Sequence, residues 1–129
     1  MNRKLFAYGF VAWLAGTLIV RFWGQFFLRP GSLAGTSLLY VLSFVAMGAL
    51  CRRLCRVAGL PRRGWPSGAI SLALPTLLLD PLSSAFFPAV FPNLTASAAG
   101  LFGGWMLCCC AGALLGATLG AEQDEIAAQ

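Results

Sequence analysis

The sequence predicts an all-α integral membrane protein, a bundle of four transmembrane helices in one membrane domain spanning residues 1–129. Three observations lead there. Only 10% of the residues are charged, against 59% hydrophobic, with a mean hydropathy of +0.80; a soluble domain carries about 25% charged residues. So few charges cannot cover the surface of a short globular chain, whereas a bilayer removes that need. Four apolar stretches, about 5–28, 37–57, 68–90 and 96–119, each approach the roughly 20 residues that a crossing requires. The connections between them alternate in charge.

The first stretch begins "MNRK" and turns apolar, as a signal peptide would. Its apolar run is too long for that, no small-residue cleavage site stands out, and it continues directly into "RFWGQFF". A retained first helix is expected. It ends before the Pro/Gly turn "RPGSLAG".

The second stretch closes on arginines, and positive charge suits a helix C-terminus. Arg3 and Lys4 precede helix 1, and Arg52, Arg53, Arg56, Arg62 and Arg63 crowd "CRRLCRVAGLPRRGWPS"; the first connection holds only Arg29 and the third, "FPNLTAS", no charge. The positive-inside rule places both termini and the second connection in the cytoplasm. The arginine cluster reads first as this topology signal, with contact to anionic lipid as an accompaniment. Nucleic-acid binding is not expected, since no soluble face exists to carry it. Trp65 sits where an interfacial aromatic belongs.

The third stretch holds Pro75, Pro81, Pro88 and Pro92. Each interior proline removes a backbone donor and clashes one turn back, so a proline kink or break is expected near Asp80 and Pro81. Freed backbone groups must then face protein or water.

The fourth stretch is glycine-rich. Gly100, Gly104, Cys108, Gly112, Gly116 and Gly120 recur at every fourth position, with Ala96 extending the row. This small-xxx-small pattern lets helix backbones approach closely. It serves packing within the bundle or across a dimer, and the row does not distinguish the two.

Away from the ends of the segments, two charged residues remain, Arg21 in helix 1 and Asp80 in helix 3. A charge near the bilayer centre costs about 2.5–3.5 kcal/mol on insertion scales. At 1.5 Å per residue, Arg21 lies roughly 24 Å and Asp80 roughly 18–21 Å from the cytoplasmic start of their helices. Thr17, Arg21 and Gln25 share one face of helix 1; Thr76, Asp80 and Ser83 or Ser84 share one face of helix 3. The expectation is one buried polar cluster around an Arg21–Asp80 pair, whose planar fork suits bidentate pairing. Its role is either architectural, fixing which helices meet, or functional, as a site for an anion, a proton or a small polar substrate beside a broken helix.

The chain has no histidine, which argues against haem ligation, a His-containing zinc site and His-dependent acid–base catalysis. Cys51 and Cys55 do not form a C-x-x-C redox pair, and Cys108, Cys109 and Cys110 read as small hydrophobes. Acylation or metal contact at Cys51 and Cys55 is the minor alternative. "NLT" at 93–95 matches an N-glycosylation pattern by what reads as chance. No nucleophile with base, paired carboxylates or phosphate loop can be assembled. No enzyme, no cofactor and no metal site is expected.

"RFWGQFFLRPGS", "ALPTLLLDPLSSAFFPAVFPNL" and "SAAGLFGGWML" resemble a family of small uncharacterised bacterial inner-membrane proteins. That resemblance implies four helices and no assigned activity. Small multidrug transporters have a similar size, but they carry a membrane-embedded glutamate in the first helix, where this chain has Arg21. The function expected is a non-enzymatic membrane component, as a homo-oligomer or an accessory subunit of a larger membrane complex. A small transporter or channel-like protein using the Arg21–Asp80 cluster is the alternative, and a membrane enzyme comes third.

Overall fold

A computed structural model describes the backbone of residues 1–129 and every side chain except those of Asp124 and Glu125. The fold is all-α, with five helices: α1 (Arg3–Phe27), α2 (Leu33–Val57), α3 (Trp65–Ala85), α4 (Phe87–Val90) and α5 (Ala99–Ala127). Four are long and apolar enough to cross a membrane. No strand occurs among the described residues.

Local sequence explains the boundaries. Asn2 caps α1 by accepting from the Lys4 and Leu5 amides, which satisfies two of the donors a helix start leaves open. Ser32 caps α2 by accepting from Gly35 N. At the other end of α2, Gly59 takes φ +71. Gly59 N donates to Arg56 O at 3.0 Å and Leu60 N to Cys55 O at 3.1 Å. This is the Schellman arrangement, and glycine suits it because the left-handed region carries no Cβ penalty there.

Helix α3 starts with Pro66 in its first turn, where a missing N–H costs nothing. It then runs unbroken through Pro75 and Pro81. The expected break beside Asp80 is therefore displaced: the chain leaves helical geometry at Phe86, immediately before α4 with Pro88 in its first turn. A proline clashes with the turn before it but starts a new helix well, and Pro88 does the second.

The bundle packs in the spatial order α1, α3, α5, α2, and α1 and α2 touch only lightly. Neighbours α1 and α3 run parallel, with Leu5 beside Gly68 and Gly9 against the Leu72 carbonyl. Helices α2 and α5 also run parallel, with Phe44 against Gly112 and Gly48 against Gly116. One end of the bundle thus gathers the N-terminus, residues 58–64 and the C-terminal part of α5. The other gathers residues 28–32 and the segment after α3.

Two apolar clusters fill the two ends. Leu5, Cys51, Cys55, Trp65, Ala69, Leu72, Ala113 and Ala117 form the basic-end core. Val20, Leu28, Phe87, Phe91, Ala98 and Phe102 form the opposite core, where Phe91 and Phe102 lie 4.8 Å apart between centroids, within the range of favourable aromatic pairs. Large side chains such as Val11, Phe22, Phe26, Val41, Val45 and Leu78 remain exposed on the outside, as they would in contact with lipid. The polar site lies between the two cores.

Candidate functional site

Asp80 is 9% exposed at the middle of the bundle. Its Oδ1 accepts the indole N–H of Trp13 at 2.9 Å. Arg21 is exposed, and its Nη1 donates to the Val90 carbonyl at 2.6 Å, with Ala89 O at 3.5 Å. The expected Arg21–Asp80 pair is thus replaced by two separate contacts.

Register explains the difference. Extending the Leu5–Gly68 and Gly9–Leu72 contacts along the two helices puts Thr17 level with Asp80 and Arg21 level with Ser84. Arg21 therefore stands one turn, about 6 Å for four residues, beyond Asp80. Side chains lean toward the helix N-terminus; in parallel helices Arg21 and Asp80 lean the same way, so leaning does not close that gap. Asp80 leans toward Trp13, while Arg21 extends away from it. Helix α4 supplies what Arg21 finds: carbonyls at a helix end lack an intrahelical donor, and a basic side chain there is favourable.

The other residues of the expected cluster divide in the same way. Gln25 accepts from Asn93 Nδ2 at 2.7 Å, and the same Asn93 amide donates to Val20 O at 3.0 Å. Asn93 Oδ1 is buried without a partner. The nitrogen that would carry a glycan is thus turned against α1. Ser83 Oγ donates to Leu79 O within its own helix. Ser84 and Asp80 line a cleft of about 200 Å³ with Met106 and Cys110. Thr76 lines a second, largely apolar cleft of about 290 Å³, between α1 and α2 over α3 and α5, together with Trp13, Trp105, Cys109 and Cys110. Thr17 is half-buried on the row between Trp13 and Arg21.

Trp13 is the residue that sequence reasoning missed. The signal is in the sequence: Trp13, Thr17, Arg21 and Gln25 form one row at steps of four, so the polar stripe begins one turn before Thr17. Hydroxyl–indole and hydroxyl–carbonyl contacts on α5 have no comparable sequence signal. Trp105 Nε1 donates to Ser43 Oγ at 2.6 Å, and Tyr40 OH donates to Leu101 O at 2.8 Å, tying α2 to α5.

The glycine row is used unevenly. A methyl group added at Gly112 would land on the Phe44 carbonyl, one at Gly116 would sit 2.6 Å from Gly48 Cα, and one at Gly104 would strike the Tyr40 hydroxyl. At Gly120 it would sit 2.7 Å from the Trp65 ring, while at Gly100 it would meet nothing. The row from Gly104 onward therefore serves contacts within this chain.

At the basic end, Arg52 Nε donates to Gly116 O at 2.6 Å. Arg56 and Arg62 lie over the Trp65 ring at 5.5 and 5.3 Å from its centroid, within cation–π range. Cys51 and Cys55 are fully buried in the core beneath them, so their thiols face neighbouring side chains. Among the described residues, no group of three or more Cys, Asp or Glu side chains is gathered as a metal-ligand set.

The model of a family of unknown function, DUF5367, matches residues 27–123. The match takes in α2 to α4 and α5 as far as Gln123, and the chain belongs to that family. No curated protein and no solved structure matches the chain.

Proposed function

We propose that this DUF5367 member is a non-enzymatic component of the bacterial inner membrane, with both termini cytoplasmic, acting as a homo-oligomer or as an accessory subunit of a larger complex. One observation carries this reading: each charge at membrane depth is spent in joining two elements. Arg21 ties α1 to α4 through the Val90 carbonyl, and Asp80 ties α3 to α1 through Trp13. Groups consumed in this way serve architecture first.

The experiment is purification from its own membranes at native expression level in a mild detergent, followed by mass determination. A homo-oligomer or a stoichiometric partner supports the proposal. A monomer that co-purifies with nothing, under conditions that preserve a known complex from the same membranes, overturns it.

A second reading, a small transporter, is favoured by one feature. Asp80 lines the α3–α5 cleft and has no basic partner among the described residues. Intramembrane carboxylates of this kind recur on ion and proton paths. An Asp80→Asn variant that is stable but loses the cellular phenotype would favour this reading over the first.

A further inference from the structure

The basic end of the bundle holds a groove that the reading above does not use. It has a volume of about 650 Å³ and runs between α2 and α5, walled by Phe44, Val45, Leu115 and Leu119 and ending at Arg52 and Arg56. Its origin is the close approach of the two helices. Gly48, Gly112 and Gly116 bring the backbones together, and having no side chains they leave the crevice between the flanking ridges unfilled.

We propose that this groove seats one anionic phospholipid, its phosphate held by Arg52 and Arg56 and an acyl chain lying along the apolar walls toward Phe44. Charge and length both argue for this occupant. Phe44, Gly48, Arg52 and Arg56 follow one another at steps of four along a single face of α2. The twelve residue steps from Phe44 to Arg56 span roughly 18 Å, close to one leaflet of a hydrocarbon core about 30 Å thick. The cationic end and the apolar length therefore match the two parts of a lipid in one leaflet. Among the described residues lining the groove, none is acidic.

The arginines are held in place before any ligand arrives. Arg52 is anchored through Nε to Gly116 O, and this bond does not use its two Nη groups. Arg56 is stacked on Trp65. A guanidinium fork suits phosphate oxygens, and basic pockets between helices are known to bind anionic head groups. Arg53 and Arg63 carry the same charge at the same end of the bundle but lie outside the groove, so they provide the control.

The test is native mass spectrometry of the full chain in detergent with added phosphatidylglycerol, with phosphatidylcholine and glycerol phosphate as separate arms. Phosphatidylglycerol should be retained, and neither of the other two should be retained or compete. Arg52→Gln with Arg56→Gln should weaken retention by about thirtyfold, the factor that about 1 kcal/mol per basic residue at a membrane surface gives for two residues. Arg53→Gln with Arg63→Gln should leave retention near that of the wild type. Since Arg52 also supports the fold, the exposed Arg56→Gln alone is the second variant and should show about fivefold loss on the same basis. Equal losses in the two double variants would reduce the effect to diffuse surface charge and overturn the seat. Competition by glycerol phosphate would overturn the lipid as occupant, and so would unchanged retention in Arg56→Gln.

Discussion

Trp13 and Asp80 meet across the α1–α3 interface through a single 2.9 Å hydrogen bond from indole to carboxyl. The contact lies between the two apolar cores. Trp13→Phe keeps an aromatic ring, though a smaller one, and removes the donor. It should lower stability by about 1–2 kcal/mol, the range for interhelical hydrogen bonds in membranes and for a buried acceptor left without its partner. Asp80→Leu in the Trp13→Phe background should recover much of that loss, because no lone acceptor remains. Thermal unfolding in detergent measures both. If Trp13→Phe unfolds at the wild-type temperature, the bond contributes nothing to the fold.

The glycines of α5 should respond according to what each faces. Gly112→Ala and Gly116→Ala push a methyl into the α2 backbone, which must separate the helices; overpacking of this kind costs about 1–3 kcal/mol. Gly100→Ala meets open space and should be neutral or slightly stabilising, since alanine favours helix by up to about 1 kcal/mol. Gly9→Ala, on α1, meets the Leu72 carbonyl and should behave like Gly112→Ala. Differential scanning fluorimetry of the four variants tests the ranking, and a Gly100→Ala loss as large as that of Gly112→Ala would break it.

These two sets of residues show what the sequence could and could not carry. The four long helices are legible because apolar length alone specifies a crossing. The four-residue glycine row was legible as a packing face, but not its partner, since a sequence pattern does not say which helix lies opposite; only the Phe44–Gly112 and Gly48–Gly116 contacts do. Gly9 continues the row of Trp13, Thr17, Arg21 and Gln25 one turn earlier, but a lone glycine there carries no packing signal. The polar stripe on α1 was legible as a face, while the pairing of Arg21 was not. That pairing turned on the axial offset between α1 and α3, fixed by Gly9 against Leu72, and on α4, a short helix whose carbonyls no composition argument foresees. The break at Phe86 instead of Pro81 has the same character: prolines announce irregularity, and the surrounding packing decides which of them ends the helix.

Orientation follows from which connections share an end of the bundle. Residues 58–64 lie with the N-terminus, and residues 28–32 lie at the opposite end. With Arg3, Lys4, Arg52, Arg53, Arg56, Arg62 and Arg63 all at the first end, that end should be cytoplasmic. Single cysteines placed at Gly31 and Gly64 in a variant lacking the native five should be labelled by a membrane-impermeant reagent from outside at position 31 only. Labelling at position 64 from outside would reverse the topology.

The independence of Arg21 and Asp80 gives the last prediction. Arg21→Leu removes the donor to Val90 O and should cost about 1 kcal/mol, the ordinary net value of a hydrogen bond, since the contact is exposed. Asp80→Leu leaves the Trp13 indole without its acceptor and should cost a similar amount. Because the two residues have separate partners, the double variant should show the sum of the two losses within about 0.5 kcal/mol. A buried ion pair would behave otherwise: each single variant would strand a charge at about 3–5 kcal/mol, and the double would recover most of it. Unfolding of the four proteins of this cycle in one detergent separates the cases. Additivity places Arg21 on α4 and Asp80 on α1, whereas strong recovery in the double variant would return the two charges to each other.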